Sequence, residues 1–337
     1  MSRSFLRHRV LLQGLLYNVL MRPFDEHLIN TVAQYTDKTV TDIRPLGAGH
    51  INESFLVETD TVSYVLQCLN SSLYADHLAE LEDNYLQYRM ACERAGVRPG
   101  EWICPEWLKT RDSLFFHTDA GKKIWRLYRF IPGDDPEPGE PFIAGAGLGK
   151  IHKILRACDS TGVKPIHPDL HDLKAYYDKY LAVDDVQERE SELDKVISDN
   201  IGKMLDITVP ADAVIHGDAK ISNMIMQEGK VIGFIDLDTL MPGSVYDDLA
   251  DCVRSCCMRD NGEIDREAAD KLLDGYETGA GMKLSSDMRK IAHKNVLKNR
   301  FMLGLRYYTD HLTGNRYFAE SYPGQNLQKA KRLLLGL

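Results

Sequence analysis

"HGDAKISN" (residues 216–223) stands between two apolar runs, "AVI" before it and "MIM" after it. A second acidic stretch, "IDLD" (235–238), closes a similar run, "VIGFIDLD". Short apolar runs bounded by polar residues read as buried strands, so each stretch sets carboxylates at the end of a segment that folds inward. Buried carboxylates are costly unless a cation meets them.

Working outward, the chain changes character on the two sides of this region. Upstream, "SFLVET" and "VSYVLQCL" alternate apolar and polar residues around Asp60 and Thr61, which predicts a β-hairpin. The glycines of "LGAGHIN" (46–52) precede it, giving the order strand, Gly loop, strand. Residues 76–95 carry Leu78, Leu81, Tyr85, Tyr88 and Cys92 at three- and four-residue steps and stop at Gly96, the pattern of an amphipathic helix with a glycine terminator. Three further β-like runs, "EWICPEWL", "SLFFHT" and "KIWRLYRFI", complete an antiparallel sheet of about five strands.

"PGDDPEPGEP" (132–141) then interrupts all periodicity and reads as a hinge. Beyond it the pattern is helical over 142–157, 172–205, 247–258, 265–279 and 285–312, broken by short β-like runs near 213 and 233. The expected fold is α+β: an N-terminal lobe over 1–131, preceded by an extension, and a mostly helical C-terminal lobe over 132–337.

Composition bounds the partners. With 337 residues the chain can bury a sizeable core, and 44% hydrophobic with 27% charged residues is ordinary for a soluble protein. A formal charge of -9 argues against nucleic acid or an anionic membrane surface as the main partner. The seven cysteines are scattered, no CxxC pair occurs, and Cys252, Cys256 and Cys257 fall at helical spacing, as expected for reduced thiols in a cytoplasmic protein. The N-terminal "MSRSFLRHRVLLQGLLYNVLM" is interrupted by Gln13, Tyr17 and Asn18 and has no small-x-small site after it, so a short helix or an extension upstream of Met21 is expected rather than a signal peptide.

Asp218, five residues before Asn223 on a loop leaving a strand, can address a substrate hydroxyl while the asparagine holds a metal ion. Protein kinases use this spacing in their catalytic loop. Asp236, eighteen residues on at the end of a strand, supplies a second metal ligand in such a site. The cation would then be Mg²⁺ on ATP phosphates. Taken singly, each of the three reads equally well as a turn or helix cap. Gly47 and Gly49 could fold backbone N–H groups over phosphates. A second glycine cluster, "GAGLGK" (145–150), lacks the first P-loop glycine and has Ile151 where Ser or Thr is needed, so close helix packing is expected there. "HPDLHD" (167–172) spaces two histidines as a zinc pair would, but Pro168 reads better as a helix start with His167 at its cap.

"VIHGDAKISNMIM" followed by "GFIDLDTLMPGSVYDDLAD" resembles the aminoglycoside phosphotransferase and choline kinase superfamily, whose fold is protein-kinase-like with two lobes. "GAGHINESFLV", "IDLDTLMPGS" and "GLRYYTDHLTGNRYFAESYPGQNLQKAK" are similar to the narrower group of N-acetylhexosamine 1-kinases, over about residues 30–335. The resemblance implies an ATP- and Mg²⁺-dependent kinase acting on the anomeric hydroxyl of GlcNAc, GalNAc or a related sugar, with Asp218 as catalytic base and Asn223 and Asp236 as metal ligands. It places His50, Asn52, Arg306 and Tyr317 near the sugar, with Asn52 also beside the nucleotide. Backbone groups of Arg129, Phe130 and Ile131 would meet the adenine. Gln67 stands where kinases carry a phosphate-pairing lysine, and there a neutral amide can hydrogen-bond a nucleotide phosphate but cannot neutralise it. A kinase of choline, ethanolamine or an aminoglycoside, or a nucleotide sensor without turnover, are the alternatives.

Overall fold

The computed structural model describes residues 26–47, 51–98, 100–134, 140–184 and 189–336. The expectations for residues 1–25, for Gly49 and His50, and for 135–139 of the hinge lie outside the described residues. The chain divides into two compact units, one made of residues up to Ser72 with Glu106–Phe130, the other of Leu73–Pro105 with Ile131–Leu337.

The first unit is a five-stranded antiparallel sheet in the order β1-β2-β3-β5-β4, with β1 Val40–Pro45, β2 Glu53–Thr59, β3 Ser63–Leu69, β4 His117–Thr118 and β5 Ile124–Arg129. The helix α1 (Glu26–Val32) sets Leu28 and Val32 against one face, where Val57, Tyr64, Leu66, Trp125 and Leu127 form the core. The β2–β3 hairpin turns at 60–62 as its alternation predicts. "EWICPEWL" is not a strand of this sheet. Its two ends make isolated bridges instead, Ile103 with Gly233 in the second unit and Trp107 with Tyr128 in the first. Pro105 lies between them and has no N–H to donate to a ladder. "SLFFHT" contributes only the two residues of β4.

A short α2 (Ser71–Tyr74) spans the point where the chain passes from the first unit to the second, and the second unit holds α3 (Leu78–Arg94), α4 (Pro141–Leu155), α5 (Leu173–Leu181), α6 (Ser191–Leu205), α7 (Val245–Cys257), α8 (Arg266–Ala280), α9 (Ser286–Leu312) and α10 (Gln325–Leu334). Two small ladders complete it, β6 (Ala213–Ile215) with β9 (Met241–Gly243), and β7 (Met224–Gln227) with β8 (Lys230–Phe234). The helical run expected over 172–205 is two helices, and Val183 and Asp184, just past the end of the first, are poor helix formers. Pro168 does not start a helix. The turn at 167–172 is closed by Leu170 N donating to His167 O, and α5 begins at Leu173 with the Asp172 carboxylate accepting from Ala175 N. The helix at 325–334 carried no expectation.

The glycines of "GAGLGK" serve packing. A Cβ on Gly145 would fall 1.9 Å from Leu272 O and one on Gly149 2.3 Å from Tyr276 O, while in return Gly275 and Gly279 on α8 admit the backbone of α4. Bare backbone on both surfaces lets α4 and α8 approach more closely than side chains allow.

Glu277 ends this packing with a buried charge. Its carboxylate accepts from Lys283 Nζ at 2.7 Å, Arg289 Nη2 at 2.6 Å and Leu284 N at 3.1 Å. Burial pushes its pKa up, but these donors outweigh burial and hold it down from 4.5 to about 2. A depressed carboxylate contributes stability above its ordinary pKa, and that contribution is lost as pH falls from about 4.5 towards about 2. Melting temperatures against pH should therefore show Glu277→Gln below wild type at pH 6, with the gap closing through this window. A gap independent of pH would assign the effect to packing instead.

Candidate functional site

In the second unit the loop leaving β6 is fixed by a carboxylate from α7. Asp248, fully buried, accepts from His216 N and Gly217 N, each at 2.8 Å. Its Oδ2 also meets His152 Nε2 at 2.8 Å, and His152 Nδ1 meets the Tyr276 hydroxyl at 3.0 Å. Burial pushes the Asp248 carboxyl up, but the hydrogen bonds from His152 and from the His216 backbone hold it below the usual value. Gly217 has φ +84° and a Cβ there would lie 2.3 Å from Thr239 O, so this turn accepts only glycine. His216 Nε2 faces the Ile235 carbonyl at 3.0 Å, which requires a proton on Nε2 and leaves Nδ1 to accept from Asp218 N at 3.3 Å.

The loop so held presents Asp218. Asn223 Nδ2 donates to Asp218 O at 2.8 Å and to Asp218 Oδ2 at 3.1 Å, which turns the amide oxygen away from that carboxylate. Lys220 Nζ lies 2.5 Å from Asp218 Oδ2. Burial works against ionised Asp218, but Lys220 first, then His216 and Arg254, outweigh it and keep its pKa below the carboxylate norm. Asp236 follows β8 in the left-handed conformation, φ 62°, and its charge acts on Lys220 together with that of Asp251. Ile235 N donates to Asn223 O at 2.9 Å and ties the two loops. Asp218, Asn223 and Asp236 are thus on adjoining loops, and Lys220, inside the quoted motif, is a cation that pairs with Asp218 and feels the charge of Asp236.

Asn223 and Asp236 fit a hard divalent cation of the Mg²⁺ kind. One carboxylate and one amide oxygen suit an ion that keeps most of its shell for water and phosphate. Among the described residues no three His, Cys, Asp or Glu side chains group as a metal cage, so His167 and His171 have no such company. His171 Nε2 meets Gly217 O at 2.9 Å, and His167 packs edge-on to Tyr74.

A second cluster in the same unit surrounds Arg306. Its guanidinium lies 4.7 Å from the Tyr176 ring centroid, 5.7 Å from Tyr317 and 5.5 Å from Phe318. Asp310 positions the loop that carries the Tyr317 and Phe318 rings, accepting from Tyr317 N and Phe318 N, each at 2.8 Å. Asn326, fully buried, donates to Phe318 O at 2.8 Å and to Asn315 Oδ1 at 3.1 Å. Tyr307 packs against Phe318 with the rings tilted by 36° and their centroids 4.2 Å apart, and its hydroxyl, raised chiefly by burial, also feels Arg254, Arg306, Lys220 and Asp218. The C-terminal motif therefore folds back towards the Asp218 loop.

In the first unit, Asn52 Oδ1 accepts from Asn70 N at 3.0 Å, and Gly47 sits at φ +73° with open space where a Cβ would point. Gln67 is buried and bound to Arg126 and Ser54. Arg129 N donates to Glu106 O and its exposed side chain pairs with Glu106, while Phe130 N donates to Ser63 O at 3.0 Å. Ile131 opens the chain's return to the second unit.

Asp248, His152, Lys220, Arg126, Asp310 and Asn326 were missed by sequence reasoning. Lys220 and Arg126 each left a signal: a charge inside a motif, and a charge within an apolar strand run.

The solved structures similar to this chain share its fold. They include a microcompartment-associated aminopropanol kinase (TM-score 0.67, 14% identity, covering 92% of this chain and 94% of that one). A spectinomycin phosphotransferase in complex with ADP and spectinomycin follows (0.59, 14%, 93% and 94%). A choline/ethanolamine kinase family protein from Mesorhizobium loti matches at 0.58 and 16% identity over 90% of each chain. No helix among the described residues is long and apolar enough to cross a membrane. The α+β fold, a five-stranded antiparallel sheet with a mostly helical remainder, is the protein-kinase-like fold of these enzymes. A family profile matches residues 42–283, well over half the chain and including the Asp218 loop and Asp236, and by that match the chain belongs to the APH phosphotransferase enzyme family.

Proposed function

We propose that this chain is a cytoplasmic, ATP- and Mg²⁺-dependent kinase that phosphorylates the anomeric hydroxyl of an N-acetylhexosamine or a related neutral sugar. The observation that carries the acceptor class is the setting of Arg306. Three aromatic rings of the kind that hold a quaternary ammonium already hold its guanidinium. A cationic acceptor such as choline or an aminoglycoside would meet a fixed positive charge there. A neutral, hydroxyl-rich acceptor instead meets directional donors, a guanidinium fork and the Tyr317 phenol.

In this reading Asp218 orients the acceptor hydroxyl and takes its proton. The anomeric hydroxyl is more acidic than an ordinary alcohol because the ring oxygen withdraws electron density, so proton removal is an easy part of the barrier and positioning dominates. Lys220 keeps Asp218 ionised and in place. Asn223 and Asp236 would hold Mg²⁺, which supplies charge neutralisation on the ATP phosphates. The first unit would contribute the Gly loop around Gly47, with Gly49 and His50, and the Arg129–Ile131 segment for the base. Seven free cysteines suit a reducing compartment.

The test is ATP consumption over a panel of free sugars, choline, ethanolamine and aminoglycosides, followed by two variants. Arg306→Ala and Tyr317→Phe should each lower kcat/KM for the sugar by about 1–3 kcal/mol in transition-state stabilisation, with the KM for ATP little changed. Turnover of choline or an aminoglycoside in preference to sugars would overturn the acceptor assignment. ATP binding without turnover of any acceptor would favour a sensor.

A further inference from the structure

The sheet of the first unit contains a buried cation that the kinase pattern does not ask for. Register places Ser54 on β2, Gln67 on β3 and Arg126 on β5 directly opposite one another, hence on one face. It is the face away from the core formed with α1, since their neighbours in sequence, Leu66 and Leu127, belong to that core. Arg126 is only 3% exposed and Gln67 9%. Arg126 Nε and Nη2 both donate to Gln67 Oε1, at 2.8 and 2.5 Å, and Gln67 Nε2 donates to Ser54 Oγ at 3.1 Å. The guanidinium also lies 4.6 Å from the Trp107 ring centroid.

A guanidinium has donors only, so Gln67 must turn its carbonyl to Arg126 and its NH₂ the other way. One of the two amide hydrogens goes to Ser54, and the second is available to an acceptor. A permanent positive charge chelating the carbonyl oxygen draws electron density through the amide and makes the NH₂ a stronger donor. Arginine suits this position because it stays charged when buried, whereas a lysine there would lose its proton more readily.

We infer that Arg126 replaces the missing β3 lysine: the charge has moved from β3 to β5 and reaches a nucleotide phosphate oxygen through the Gln67 amide. Arg126 is then a positioning residue and Gln67 the group that touches phosphate. The inference rests on the ATP-dependent reading above and explains how a chain with glutamine on β3 holds a phosphate without the usual cation.

Calorimetric titration of the full chain with ADP plus Mg²⁺, and separately with adenosine, tests it in four forms: wild type, Arg126→Met, Gln67→Lys and the double variant. Arg126→Met should weaken ADP by about tenfold or more, the loss of a charge-assisted hydrogen bond, while adenosine binds as before. Gln67→Lys alone sets an ammonium against the guanidinium and should also bind ADP worse. The double variant restores one cation on β3 and should recover ADP affinity to within about threefold of wild type. A merely structural Arg126 would lose ADP and adenosine together, along with melting temperature, and Gln67→Lys would not rescue phosphate binding. Either that pattern or an Arg126→Met variant that binds ADP as wild type does would overturn the inference while leaving the kinase reading intact. A wild-type chain that binds no ADP would overturn the kinase reading and this inference with it.

Discussion

Asp218→Asn is expected to lower kcat by about 10²–10⁴-fold while ADP affinity stays within a factor of about two, because general-base catalysis is removed and no nucleotide contact is. Asparagine matches aspartate in size and can still accept from Lys220 Nζ and Asn223 Nδ2, the two side-chain donors on the carboxylate. What it cannot do is take a proton. The acidity of an anomeric hydroxyl moves the expected loss towards the lower end of the range, and an ordinary alcohol acceptor towards the upper end. Steady-state kinetics on the best acceptor, with ADP titration alongside, separates the terms. Near-wild-type kcat would remove Asp218 from the mechanism. An equal fall in nucleotide affinity would mean that the loop, not the proton transfer, had been damaged.

Asp248→Asn should be the most damaging change that touches no substrate. Each carboxylate oxygen of Asp248 accepts from a backbone N–H, Oδ2 from His216 and Oδ1 from Gly217. An asparagine must turn its NH₂ to one of them, so one buried backbone donor faces another donor whichever way the amide flips. His152 can adapt by exchanging tautomer with the Tyr276 hydroxyl, but a peptide N–H cannot. The expected cost is about 3 kcal/mol, from the orphaned N–H and the loss of a charged acceptor beside the His152 ring. For a chain of this size that corresponds to a melting temperature lower by roughly 4 °C. The same variant should lose kcat, since Asp218 follows Gly217 directly and its loop relaxes. A melting temperature within about 1 °C of wild type would show that the network contributes little to holding the loop.

These two aspartates differ in how they could be found. Asp218 was legible because its partners are local: Asn223 lies five residues away, and the flanking apolar runs announce a loop between strands. The β2–β3 hairpin, α3 with its glycine terminator, α7, α8 and α9 were legible for the same reason, since a period of two or of 3.6 residues is a property of a short window. Where a window misled, local preference met a competing constraint. Pro105 split a run that looked like a strand, and the Asp172 cap moved the start of α5 beyond Pro168.

Other features depend on residues far apart in the chain. His152 and His216 meet Asp248 across separations of 96 and 32 residues, and Gln67 meets Arg126 across 59. No periodicity records such distances. Buried polar groups must each find a partner, but which partner is settled only when helices and strands have packed. Sequence by itself thus determined most of the order of elements, the α+β division and the loop that carries Asp218 and Asn223. Tertiary structure alone decided which charge meets which: Lys220 on Asp218, Asp248 under the loop, Arg126 behind Gln67, and Arg306 among its rings.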